Sequence, residues 1–304
     1  MTEQPAGIRK AVITAAGLGT RLRPLTRIAA KEMLPLGGLP TAEYIIRELH
    51  DVGITDIIFV VSPLKGGIQA YFGNSARDGK VRLSYVNQDE QLGLAHAVLQ
   101  AEEAVGGEPF ILALGDTILF SDRKPIPLAR LLNAFVSNSA FASVIVERVP
   151  IELCHKYGMV KPITAIQDSV FGIQGSEPAL AQYEVQTSCF CEDGTFEIDG
   201  LIEKPKLEEA PSDLAIGGRY IFNAEIFDYI RRTPPGALGE LQITDAIRLS
   251  IEDSRRVWCA YLFEGERRYD IGNIQTYCEA FAAACLRDPE LSDCIAKAVS
   301  DKQG

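Results

Sequence analysis

The stretch AVITAAGLGTRLRPLTRIAAKEMLP, residues 11–35, decides the fold. It opens on a continuous apolar run, passes directly into two glycines, and continues into a basic segment. An unbroken apolar run that ends at a turn is what a strand buried on both faces looks like. Glycines directly after such a strand let the backbone turn sharply and bring consecutive amides close to a ligand, where they form an anion-binding concavity. Neither common phosphate-loop pattern is complete: G-x4-G-K-[ST] is absent, and the third glycine of G-x-G-x-x-G is replaced by Leu22. A bare GxG is a weak signal and equally a turn beside solvated arginines. Here Arg21, Arg23, Arg27 and Lys31 follow it in one segment, opposed mainly by Glu32.

Outward from this loop, further apolar runs start at Ile57 (IIFVV), Phe110 (FILAL) and Phe141 (FASVIV). Between them lie helical patterns. Residues 41–52 place Ile45, Leu49 and Val52 on one face and stop at Gly53, and residues 93–104 form a second such segment. Alternation of this kind predicts layered α/β architecture with ligands at the C-terminal ends of the strands. Beyond residue 147 the pattern changes. Residues 163–198 read as hairpins or an insertion. Two strands (GLIEKP and AIGGRYIF), a helix near 224–231, a Pro-Pro-Gly break at 234–236, a helix from Thr244, a strand from Val257 to Phe263 and a helix from Ile274 to Leu286 follow. A single domain over 8–286 is expected, with a smaller, partly helical C-terminal portion from about 236 and a tail at 287–304.

The 304 residues carry a formal net charge of −11, and 47% of them are apolar, which suits a globular protein and not a disordered chain. The acidic balance argues against a general nucleic-acid binder, so phosphates must be held locally. No apolar stretch approaches a membrane span and the first ten residues lack a signal-peptide core, so a cytoplasmic protein with no membrane partner is expected. Seven cysteines without a CxxC pair support neither a disulfide framework nor a zinc site. The three histidines, His50, His96 and His155, lack metal-ligand spacing, and His96 reads as a helix residue.

The combination GLGTR with Lys31-Glu-Met-Leu-Pro resembles the sugar-1-phosphate nucleotidyltransferases, most closely the bacterial UTP:glucose-1-phosphate uridylyltransferases. The resemblance continues in family order through GLAHAV (93–98), LGDTIL (114–119), YGMV (157–160), IEKPK (202–206), SDLAIGGRYIF (212–222), TPPGALGELQITDAI (233–247) and YDIGN (269–273), spanning roughly residues 8–286. It implies a three-layer, Rossmann-like nucleotidyltransferase fold with a mixed, mainly parallel central sheet. The activity it implies is Mg2+-dependent transfer of a nucleotidyl group to a sugar 1-phosphate with release of pyrophosphate. Both substrates are small phosphorylated molecules, and self-association is common in the family.

By the same resemblance, Arg21 and Lys31 hold the triphosphate, and Ala16, Gly17 and Gly19 approach the nucleotide. Gln88 and Gly93 bind the base. Asp116 and Asp270 match magnesium carboxylates, a number that suits an ion completed by phosphate oxygens and water. Lys204 matches the lysine that neutralises the sugar phosphate, Glu203 the acceptor of sugar hydroxyls, and Gly158 and Gly218 the backbone against the sugar. The guanidinium fork suits phosphate because it bonds two oxygens at once. Ala30 stands where a proline usually precedes the family lysine, and 163–198 is longer than the family pattern and lies between two sugar-contacting segments. The resemblance points to UTP as donor, with dTTP or a purine triphosphate as alternatives, and to glucose 1-phosphate as acceptor, with another hexose or a cyclitol phosphate as alternatives. A glycosyltransferase would show a DxD where GDTIL has one aspartate; a non-catalytic sensor would have lost the charged residues that are all present.

Overall fold

The computed structural model describes residues 7–63, 66–163, 185, 190–236 and 239–300. Most of the 163–198 segment, residues 164–184 and 186–189, lies outside the described residues. The strands are β1 (Lys10–Ala15), β2 (Pro35–Leu36), β3 (Leu39–Pro40), β4 (Asp56–Val61), β5 (Ser75–Ala76), β6 (Val81–Asn87), β7 (Phe110–Leu114) and β8 (Thr117–Ser121). They continue with β9 (Ala142–Arg148), β10 (Gly158–Pro162), β11 (Thr195–Glu203), β12 (Leu214–Phe222), β13 (Val257–Tyr261) and β14 (Glu266–Asp270). The helices are α1 (Thr41–Asp51), α2 (Gly67–Phe72), α3 (Leu94–Leu99), α4 (Glu102–Val105), α5 (Pro127–Ser137), α6 (Ile226–Arg232), α7 (Ile243–Glu252), α8 (Ile274–Arg287) and α9 (Pro289–Ser300).

Ten strands form one sheet in the order β10-β11-β13-β9-β12-β7-β1-β4-β6-β5. The block β7-β1-β4-β6 is parallel throughout, with Lys10 level with Asp56 and with Phe110. Strand β12, buried at every position, runs against both β7 and β9 and makes the sheet mixed. Period-two alternation sorts β1 between two cores: Ala11, Ile13 and Ala15 face α1, α5 and α8, whereas Val12 faces α3, α6 and α7. Helix α1 buries Ala42, Ile45, Ile46 and Leu49 on its sheet face, and α7 buries Ile243, Ala246 and Ile247 on the opposite side. The result is the three-layer α/β/α architecture expected from the sequence.

The segment expected as one helix over 93–104 is two short ones, α3 and α4, separated at Gln100–Ala101. The C-terminal portion is built into the sheet, because β13 lies between β11 and β9. Within the segment read as a tail, Pro289–Ser300 is helical. Among the described residues, no helix is long and apolar enough to cross a membrane. One element that the sequence did not announce positions the site: β8 and β14 pair as a separate antiparallel ribbon, placing Asp270 level with Thr117. Fully buried Arg219 of β12 anchors this ribbon, bonding Glu48 Oε2 of α1 at 2.8 Å and the carbonyl of Thr117 at 2.9 Å.

Candidate active site

At the C-terminal ends of β1 and β7, a cavity of about 290 Å³ is walled by Ala16, Gly17, Lys31, Gln88 and Gly93, with Asp116 at its inner end. A second cavity of about 250 Å³ is walled by Tyr157, Gly158, Glu203, Lys204, Gly218 and Asp270. Both share Leu94, Leu114 and Asp116. Ala16, Gly17, Lys31, Gln88 and Gly93, expected at the nucleotide, and Gly158, Glu203, Lys204 and Gly218, expected at the sugar, therefore sort into two adjoining spaces that meet at Asp116.

Asp116 follows β7 and precedes β8; its backbone carbonyl accepts from Ile271 N at 2.9 Å, which brings the Asp270 end of β14 alongside. Lys31, on the short 3-10 turn Lys31–Met33, donates from Nζ to Asp116 Oδ2 at 2.5 Å. Burial would raise the Asp116 carboxyl, but the Lys31 ammonium beside it outweighs this and holds it below the ordinary carboxylate range. Burial would likewise lower Lys31; the charges of Asp116, Glu32 and Asp270 overcome it and raise it. Asp270 goes the other way: burial and then the negative charge of Asp116 push it up, against the pull of Arg268, a bond from Gly272 N at 2.6 Å and Lys31. Two partly buried carboxylates thus lie close enough to repel each other. That is the electrostatic setting in which a divalent cation, completed by phosphate oxygens, is accommodated.

Arg21 and Gly19 do not wall either cavity. Arg21 lies near Asp270: its Nη2 is 3.2 Å, and Asp270 Oδ1 2.8 Å, from where a Cβ would stand at Gly272. Gly19 turns the chain in a left-handed conformation (φ 63°, ψ 33°), and its carbonyl accepts from Thr26 Oγ1 at 2.6 Å. Its contribution is the shape of the loop that carries Arg21.

In the second cavity Thr244 Oγ1 donates to Glu203 Oε2 at 3.0 Å, and Lys204 Nζ lies 3.4 Å from Glu203 Oε1. Lys204 sits at φ 45° and its N–H is bonded to the Tyr157 carbonyl at 2.9 Å, so β11 ends by turning this ammonium out of the strand. The strand β12 bulges between Ile216 and Tyr220, where Gly218 takes φ 79° and brings backbone against Thr117. Arg268, which sequence reasoning missed, enters the same cavity from β14; it pairs with Glu147 at 2.5 Å and lies over the Tyr157 ring at 5.1 Å. Gln242 and Thr244, also missed, come from the start of α7, and Glu240 walls the first cavity. The only signal for them was their place in the GELQITDAI stretch.

The arrangement defines a protein with two cavities that meet at Asp116, whose carboxylate is bonded by the Lys31 ammonium. Its sequence matches the nucleotidyl transferase family over residues 10–286, and the chain belongs to that family. UTP–glucose-1-phosphate uridylyltransferases of Staphylococcus epidermidis and Bacillus subtilis are each 36% identical to it. The first aligns over 94% of this chain and 95% of its own, the second over 94% of each. Among solved structures, a UTP-bound UGPase from Acinetobacter baumannii superposes with a TM-score of 0.79 at 28% identity, covering 96% of this chain and 98% of that one. A UDP-glucose pyrophosphorylase complexed with UDP-glucose gives 0.74 at 30% identity, covering 91% and 98%.

Proposed function

We propose that this chain transfers the uridylyl group of UTP to glucose 1-phosphate, giving UDP-glucose and pyrophosphate. The observation that carries the reading is the meeting of the two cavities at Asp116, beside Lys31. The uridylyltransferase relatives and the structural neighbours support the choice of UTP and glucose 1-phosphate.

A phosphate oxygen of glucose 1-phosphate forms a bond to the α-phosphorus as the bond from that phosphorus to the bridging oxygen of the β-phosphate breaks, and pyrophosphate leaves. The attacking oxygen is already ionised, so no side chain need remove a proton; the work is to align two polyanions and to offset the charge on the transferring group. Lys31, at the junction, faces that group. Arg21 holds the departing phosphates, Lys204 neutralises the sugar phosphate, and Glu203, oriented by Thr244, accepts sugar hydroxyls. Mg2+ fits Asp116 and Asp270, whose mutual repulsion a cation relieves, and when bound it would supply further positive charge to the phosphates. A matrix of nucleoside triphosphates against sugar 1-phosphates, read by pyrophosphate release, tests the reading: fastest turnover is expected with UTP and glucose 1-phosphate. No turnover with any pair overturns it.

A further inference from the structure

We infer that His96 is a positioning residue that sets which end of the Gln88 amide faces the nucleotide base, making the cavity selective for a base that donates from its ring N3, as uracil and thymine do. The inference rests on the nucleotide reading of that cavity.

Gln88 follows β6, is only 3% exposed, and lines the cavity. Its Nε2 lies 3.3 Å from the Gly93 carbonyl and 3.1 Å from His96 Nδ1. A carbonyl can only accept, so Gly93 identifies this end of the amide as the NH₂. Its two hydrogens are then both committed, one to Gly93 and one to an unprotonated Nδ1. What remains is Oε1. It makes no hydrogen bond among the described residues, and Gln88 lines the cavity. The amide thus presents an acceptor alone, although the residue type could present both.

His96 has a competing neighbour. Gln100 Nε2 lies 3.2 Å from His96 Nε2 and also bonds the His96 carbonyl at 3.1 Å. A neutral imidazole has one acceptor nitrogen, so it cannot accept from both glutamines. Burial decides between them. Gln100 is half-buried and can exchange its bond for water, whereas Gln88 cannot, and a buried amide left without a partner is the costlier arrangement. His96 therefore carries its hydrogen on Nε2 and accepts at Nδ1 from Gln88. Cytosine, with an acceptor at N3, would set lone pair against lone pair at Oε1.

The test compares steady-state kinetics with UTP and CTP for the wild type, His96→Phe and His96→Asn. Phenylalanine fills the space without an acceptor; asparagine places an oxygen near the Nδ1 position. His96→Phe is expected to raise KM for UTP and to lower the UTP-to-CTP preference, each by about tenfold or more, roughly the worth of one hydrogen bond, while kcat with UTP changes little. His96→Asn is expected to keep most of the preference. A preference unchanged in His96→Phe, or lost equally in His96→Asn, overturns the inference. Should His96→Phe melt below the assay temperature, His96→Gln, whose amide reaches the Nε2 position and not Nδ1, takes its place with the same expected losses. A wild type that turns over no triphosphate overturns the preceding reading instead, which separates the two failures.

Discussion

Gly93→Ala concentrates its effect where the turn before α3 meets the C-terminal part of the chain. Gly93 has φ 102° and ψ 178°, a region populated almost only by glycine, where a side chain costs about 1–3 kcal/mol. A Cβ there would stand 2.6 Å from the Leu241 carbonyl oxygen and 2.8 Å from Leu241 N, both backbone atoms. Residues 240–242 must move, which breaks Leu241 N to Leu92 O (2.7 Å) and Ala95 N to Leu241 O (3.0 Å), about 1 kcal/mol each. A loss of about 3–5 kcal/mol of unfolding free energy is expected, measured by urea titration followed by circular dichroism. KM for UTP should rise as well, because Glu240 is displaced from the cavity wall. Gly106→Ala provides the control: it has φ 67° but its nearest neighbour to a new Cβ is the Lys10 Nζ at 3.5 Å, so strain alone, about 1 kcal/mol, is expected. If Gly93→Ala costs no more than Gly106→Ala, or leaves KM for UTP unchanged, the close approach of the two backbones is refuted.

Asp116→Asn should abolish metal-dependent turnover with an unchanged far-UV spectrum; near-normal turnover at ordinary magnesium concentrations would sink its metal role. Lys204→Ala should raise KM for the sugar 1-phosphate by about tenfold or more with a much smaller effect on UTP, and equal losses for both substrates would contradict its placement in the sugar-side cavity. Arg219→Met strands the Glu48 carboxylate and should cost about 3–5 kcal/mol, measured as a shift in the urea midpoint, while a loss under about 1 kcal/mol would show that the pair does not anchor the β8–β14 ribbon.

The fold was legible where burial is carried by local pattern. Strands β1, β4, β7 and β9 read as continuous apolar runs because a strand covered on both faces needs no polar residues, and α1 read from its spacing because one of its faces is buried. The turn after β1 read from its glycines, since the left-handed conformation at Gly19 is one that a side chain disfavours. The β8–β14 ribbon did not read. Glu266-Arg267-Arg268-Tyr269-Asp270 is charged and largely unburied, and it becomes a strand only because a partner far away in sequence supplies its hydrogen bonds.

The sequence by itself determined the layered α/β class, the glycine-punctuated turn after the first strand and the identities of the charged residues. Tertiary structure alone decided three further things: that Asp116 and Asp270 lie close together, that Arg268 and Thr244 wall the same cavity as Glu203 and Lys204, and that the Gln88 amide nitrogen meets Gly93 and His96. Each of these depends on distances between segments remote along the chain. Residue spacing fixes local conformation, but only the closed sheet and its ribbon set those separations, and Coulomb and hydrogen-bond interactions depend on separation rather than on sequence order.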